Sequence, residues 1–131
     1  MIVLDASAVV EYLLGRPAGV LVDVALSSEP TSAPHLLDVE VAAVVRRFEL
    51  RGELEATSAT GCIQDLKGLP IRRYPHGPLI TRACTWRHNV TVYDGVYLAL
   101  AEALDATLIT LDASLAAVPG CTARVDVLAS N

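Results

Sequence analysis

The sequence predicts an α/β protein built on a parallel sheet, and three observations carry that reading. Short apolar runs alternate along the chain with longer stretches whose apolar residues recur at helical spacing. Hydrophobic residues fill 53% of the 131 positions but aromatic ones only 5%. The core must therefore be aliphatic, which suits helices laid on a parallel sheet. Two of the apolar runs, Ile2-Val3-Leu4 and Thr107-Leu108-Ile109-Thr110-Leu111, end on an aspartate, and parallel sheets place their chemistry at the carboxyl ends of strands.

Taken in order, the first run reads as a short buried strand ending at Asp5. Residues 6–14 continue as a helix that Gly15 and Pro17 stop, and a second helix is expected over 18–26 before Glu29-Pro30 turns the chain. Thr31-Ser32-Ala33 reads as a brief strand. From Leu37, the apolar residues Val41, Val44, Val45 and Phe48 fall at offsets of 4, 7, 8 and 11, one face of a helix. Glu40 sits in the first turn or so of that helix, and Gly52 ends it. Residues 53–66 read as a further helix broken by Gly68-Leu69-Pro70, and Ile71-Arg72-Arg73-Tyr74 as an outer strand. A helix over 79–87 follows. The next, over 94–104, is apolar almost all round and should be the most buried. Residues 107–111 form a buried strand ending at Asp112, and 125–128 supply the last one.

A single domain, residues 1–131, is expected, because the length is near the commonest domain size and no linker, repeat or low-complexity stretch interrupts it. Charged residues make up 19%, too few for a disordered chain of this hydrophobicity. The N-terminus lacks a basic lead, and Asp5 and Glu11 interrupt its apolar stretch, so it does not read as a signal peptide. The longest run free of Asp, Glu, Lys and Arg, residues 113–123, contains Pro119 and Gly120, so no membrane span is expected. The protein is expected to be soluble and cytoplasmic. Cys62, Cys84 and Cys121 are scattered and odd in number, and His35, His76 and His88 form no metal-binding doublet with them. Zinc is not expected, and the cysteines read as small core fillers.

The net charge of −5 argues at first against a nucleic-acid partner. Four carboxylates sharing a cation site would account for four of those charges, leaving −1 for the rest of the chain. Asp5 and Asp112 follow strands, while Glu40 and Asp94 lie near the starts of helices that begin on the same side of the sheet. Acids from four distant parts of the chain are thus expected on one edge. Such a cluster repels itself and raises its own proton affinity, and a divalent cation relieves it. Oxygen ligands without His or Cys favour Mg²⁺ or Mn²⁺, a site suited to phosphodiester hydrolysis.

Each acid also has a plainer reading. Asp5 and Asp112 fit N-caps, Thr91-Val92-Tyr93-Asp94 fits a capping box, and Glu40 fits a solvated helix residue near a positive helix end. Asp38 reads as a cap and is left out of the site. Ser7 and Thr110 would place hydroxyls beside the carboxylates, or serve as a helix cap and an ordinary strand residue. Tyr93 and Tyr97 read as core or rim rather than as substrate stackers, and Arg46, Arg47 and Arg51 as a solvated face.

Four blocks in order, Met1-Ile-Val-Leu-Asp5-Ala-Ser7-Ala, Ala33-Pro-His-Leu-Leu-Asp-Val-Glu40-Val-Ala, Thr91-Val-Tyr-Asp94-Gly-Val-Tyr-Leu-Ala-Leu-Ala-Glu-Ala-Leu104 and Leu108-Ile-Thr110-Leu-Asp112, resemble the PIN domain. Within that family they resemble the VapC toxins of bacterial type II toxin–antitoxin pairs. The resemblance implies a three-layer α/β/α fold with a central parallel sheet and a Mg²⁺- or Mn²⁺-dependent endoribonuclease. Asp5, Asp94 and Asp112 then match metal ligands, and Glu40 a ligand or the carboxylate that orients water. Thr110 matches the family's small hydroxyl residue. It further implies a homodimer acting on RNA and inhibited by a cognate VapB-type antitoxin whose C-terminal segment lies in the crevice. Gly95 stands where the family pattern has Ala.

Two rivals remain at this point. A phospho-acceptor signalling domain also gathers acids at strand ends, but it wants two adjacent acids after the first strand and a Lys after a late one. Here the first strand ends Asp5-Ala6-Ser7, and the sole lysine, Lys67, lies in a helical segment. The second rival is a non-catalytic PIN-fold module that binds RNA or protein.

Overall fold

A computed structural model describes residues 1–129. Five strands, β1 (Ile2–Leu4), β2 (Thr31–Pro34), β3 (Ile71–Tyr74), β4 (Thr107–Thr110) and β5 (Arg124–Val127), pair in parallel in the order β3-β2-β1-β4-β5. Between them run α1 (Ala6–Leu13), α2 (Gly19–Ser28), α3 (Leu36–Leu50), α4 (Ala56–Gly68), α5 (Ile80–Cys84) and α6 (Val92–Leu104). Helices α1 to α4 pack on one another, while α6 lies against β1, β2 and β4 with α5 beside it. The result is the expected three-layer α/β/α arrangement. Among the described residues, no helix is long and apolar enough to cross a membrane.

The strand order places the site. The chain leaves β1 toward β2 and β3, then returns on the other side with β4 and β5, so the order reverses between β1 and β4. A parallel sheet opens a crevice beyond its carboxyl ends at such a reversal. Register pairs Leu4 with Ile109, so the two strands end level there. Asp5 follows β1 directly, and Thr110 closes β4.

Burial follows the sequence pattern. Ile2, Val3 and Leu4 are buried together because both faces of β1 are covered. In α6 every residue from Gly95 to Ala101 is buried, which makes it the innermost helix, as its unbroken apolar run predicts. Leu4, Leu37, Leu98 and Leu108 are fully enclosed, each contributing about 2 kcal/mol by removal from water.

Three expectations need correction. The helix expected from residue 53 begins at Ala56. The Glu53 N–H closes a Schellman motif on Phe48, and Gly52, with φ +74°, donates to Glu49, so Glu53 belongs to the end of α3. The helix expected over 79–87 shrinks to α5 between tighter turns. Pro78 sits in a 3-10 turn before it, and beyond it the Thr85 hydroxyl donates to the Arg82 carbonyl at 2.6 Å, competing with the helical ladder. Asp38 makes no cap; it lies inside α3 and accepts from Arg73 at 3.1 Å.

Gly95 has a packing reason. A methyl group there would stand 2.9 Å from the Ala83 Cβ and 3.0 Å from the Ala83 carbonyl oxygen. Helix α5 therefore approaches α6 one residue after Asp94, at a distance that alanine would obstruct.

Candidate active site

Asp5 is the best-held of the four acids. It caps α1, accepting the Ala8 N–H on Oδ1 at 3.1 Å. The Ser7 hydroxyl donates to the same oxygen at 2.6 Å, and the Thr110 hydroxyl donates to Oδ2. Each of those hydroxyl oxygens is itself an acceptor: Ser7 Oγ takes the Leu111 N–H at 3.0 Å, and Thr110 Oγ1 the Asp112 N–H at 3.0 Å. With backbone donors occupying the hydroxyl oxygens, both hydroxyl protons point at Asp5, an arrangement that an ionised carboxylate satisfies. The same two bridges tie the end of β1 to the end of β4. The cap and site readings of Asp5 are thus compatible, because different lone pairs serve each.

The other three acids stand on different elements. Glu40 stands in the second turn of α3, half-buried, with Oε1 accepting the Tyr97 hydroxyl at 2.7 Å; it is not a freely solvated helix residue. Asp94 lies in the first turn of α6, where the Thr91 hydroxyl oxygen accepts the Asp94 N–H at 3.1 Å as the capping pattern predicts. Asp112 follows β4 and is exposed. It caps a short 3-10 helix, with Oδ1 accepting the Ser114 N–H at 2.9 Å and the Ser114 hydroxyl at 2.7 Å.

Three of the acids respond to their neighbours' charge. Burial pushes the Asp5 carboxyl above its ordinary range despite three hydrogen bonds, and the Asp112 charge adds to the rise. Glu40 is raised by burial and then by Asp94 and Asp5, and Asp94 by burial and then by Asp112 and Asp5. Burial likewise raises the Tyr97 phenol, helped by its bond to Glu40, so it remains a donor.

Among the described residues, no three His, Cys, Asp or Glu side chains stand close enough to hold one metal ion directly. The carboxylates are gathered rather than converged. Mg²⁺ keeps several of its waters and is commonly held through only one or two carboxylates, so an open set of oxygen donors with raised proton affinity is of the kind such an ion relieves.

Sequence reasoning overlooked one residue here: Tyr97, read as core or rim, is buried as core but turns its hydroxyl onto Glu40. The available signal was its position three residues after Asp94, on the same helical face. Some basic residues prove structural. Arg73 closes the end of α4 through the Leu66 carbonyl and pairs with Asp38. Arg82 lies over Trp86 and pairs with Glu102. Arg46, Arg47 and Arg51 are exposed on and just beyond α3, the solvated face expected of them. Cys62, Cys84 and Cys121 are free thiols.

A family model described as PIN domain matches residues 2–120. The sequence is 44% identical over 129 residues to a Mycobacterium tuberculosis protein named Ribonuclease VapC1, covering 96% of each chain. It is 41% identical to Ribonuclease VapC12 of the same organism, covering 98% of this chain and 100% of the relative. Among solved structures, VapBC2 from Rickettsia felis bound to a DNA fragment from their promoter matches with a TM-score of 0.71 at 13% identity, over 98% of this chain and 100% of that one. That last likeness is one of fold.

Proposed function

Since the chain belongs to the PIN-domain family, and within it to the VapC group, we propose that it is a Mg²⁺- or Mn²⁺-dependent endoribonuclease acting in the cytoplasm as the toxin of a type II toxin–antitoxin pair. What supports this reading is the electrostatic coupling of these acids: burial and one another's charge raise the proton affinity of Asp5, Glu40 and Asp94, Asp5 and Asp112 following the adjacent strands β1 and β4. Relatives named as ribonucleases cover nearly the whole chain at 44% and 41% identity.

Asp5, Asp94 and Asp112 would hold the ion, with Glu40 as a further ligand or as the group that orients water. A bound divalent cation supplies positive charge against the phosphate and leaving-group oxygens during phosphodiester hydrolysis. The chain's own residues do the remaining work. The Ser7 and Thr110 hydroxyls donate to the Asp5 carboxylate and fix its orientation. Glu40 is anchored through Oε1, which leaves Oε2 to accept a proton from water. Its raised proton affinity suits that task.

The proposal includes an RNA substrate, a homodimer and a VapB-type antitoxin. Two exposed apolar surfaces support the protein partners. Val20, Leu21 and Val24 project from α2, each more than half exposed. A cavity of about 300 Å³, lined by Leu36, His76, Ile80, Val92, Tyr93 and Val96, opens beside the first turn of α6.

The test is RNA cleavage by purified wild type and Asp5→Asn in Mg²⁺ or Mn²⁺. The variant should keep its circular dichroism spectrum and lose activity by at least about a hundredfold, the scale on which removing a key electrostatic group acts. Cleavage by Asp5→Asn at the wild-type rate would remove Asp5 from the centre. Wild type that cleaves no RNA with either ion would favour the binding-module alternative.

A further inference from the structure

We propose that Tyr97 is a positioning residue of the centre: its hydroxyl fixes Glu40 and, through the helix it shares with Asp94, sets the spacing between those two carboxylates. The inference rests on the ribonuclease reading above and adds to it a residue outside the acid set.

Tyr97 is 1% exposed and among the largest fully buried side chains, so phenylalanine would fill the same volume. The hydroxyl is the part that packing does not require, and a buried phenol needs a partner. Its partner is Glu40 Oε1 at 2.7 Å, 57 residues away in sequence. Thus the one polar atom of this buried ring is directed at a carboxylate of the candidate centre.

Helix geometry supplies the rest. Asp94 and Tyr97 are three residues apart, hence neighbours on one face of α6. Residues Gly95 to Ala101 of that helix are buried, and Thr91 caps its start, so α6 is a fixed platform. One rigid element therefore presents one carboxylate itself and grips a second on α3. Ser7 and Thr110 grip Asp5 in the same way. Among the described residues, Glu40 accepts from a single hydroxyl, that of Tyr97.

The experiment is Mn²⁺ binding, by titration calorimetry, to wild type, Tyr97→Phe, Glu40→Gln and the double variant. Partners of metal-binding groups typically change affinity by ten- to a hundredfold when removed. Tyr97→Phe should therefore weaken Mn²⁺ binding by about tenfold, while its ion-free melting stays near that of wild type. In the Glu40→Gln background the same change should add nothing, since the group it positions is already uncharged. Wild-type affinity in Tyr97→Phe, or an equal further loss in the double variant, would overturn the inference. Should Tyr97→Phe melt early, Glu40→Asp replaces it: the shorter acid keeps its charge but draws back from the hydroxyl, and wild-type affinity there would overturn the inference too. Failure of wild type itself to take up Mn²⁺ would bring down the ribonuclease reading and this inference together.

Discussion

A carboxylate buried at the end of a strand is costly unless its lone pairs are occupied, and at Asp5 two hydroxyls and one backbone N–H occupy them. Thr110 does double service, donating to Asp5 and accepting from the Asp112 N–H, with no exposure of its own. Thr110→Val keeps the shape and loses both bonds. It should destabilise the fold by about 1–3 kcal/mol, the range for leaving buried groups unpaired, and Thr110→Ser should restore most of it; urea unfolding measures both. The positions of Asp5 and Thr110 were legible in sequence because both lie at strand ends. Tyr97 was not, because the direction of its hydroxyl depends on how α3 and α6 pack. Asp38 was misread for a related reason: Arg73, which claims it, comes from β3, 35 residues on.

At the scale of elements, two contacts decide whether α6 holds its place. The first is the close approach at Gly95. Alanine has the higher helix propensity by up to about 1 kcal/mol, yet its methyl would meet Ala83 at 2.9 Å. Overpacking costs about 1–3 kcal/mol, so Gly95→Ala should lower the melting temperature, and Ala83→Gly should recover part of the loss by removing the nearest atom. A raised melting temperature in Gly95→Ala would show that α5 can yield. The second contact is at the far end of α6, where Glu102 accepts from Arg82 at 2.9 Å and from the Thr122 N–H at 2.7 Å. The Arg82 hydrogen bond holds the Glu102 carboxyl down at about 2. A depressed carboxylate contributes stability that is complete above its unfolded value and is lost as pH falls toward the folded one. Glu102→Gln should therefore cost about 1–2 kcal/mol near neutral pH, after screening at the exposed Arg82, and the difference should vanish on acidification to about pH 2. Helix existence was readable from periodicity. Helix ends were not, because Glu53 is claimed by the turn that closes α3 and Thr85 by a side-chain bond to Arg82.

Over the whole molecule, local sequence supplied the strands and their parallel pairing but not their order. That β1 lies between β2 and β4 depends on pairings of Ile2 with Thr31 and with Thr107, the second more than a hundred residues away, and it is this order that brings the two strand ends bearing aspartates side by side. The resulting charge cluster should show in stability. Asp5, Glu40 and Asp94 are all raised in the fold. Between the ordinary carboxylate range and those raised positions the folded state binds more protons than the unfolded one, so stability falls as pH rises through that window. Ion-free protein should thus melt higher at about pH 5 than at about pH 7, the opposite sign to the Glu102 effect. Millimolar Mg²⁺ at neutral pH should raise melting by about 3–5 °C, the shift expected when an ion at roughly ten times its dissociation constant binds only the folded state. The most direct measurement is anomalous scattering at the manganese edge from crystals soaked in Mn²⁺. A peak is expected in the β1–β4 crevice within ligand reach, direct or through water, of Asp5 and Asp94. Crystals that take up Mn²⁺ elsewhere and leave that crevice without a peak would contradict it.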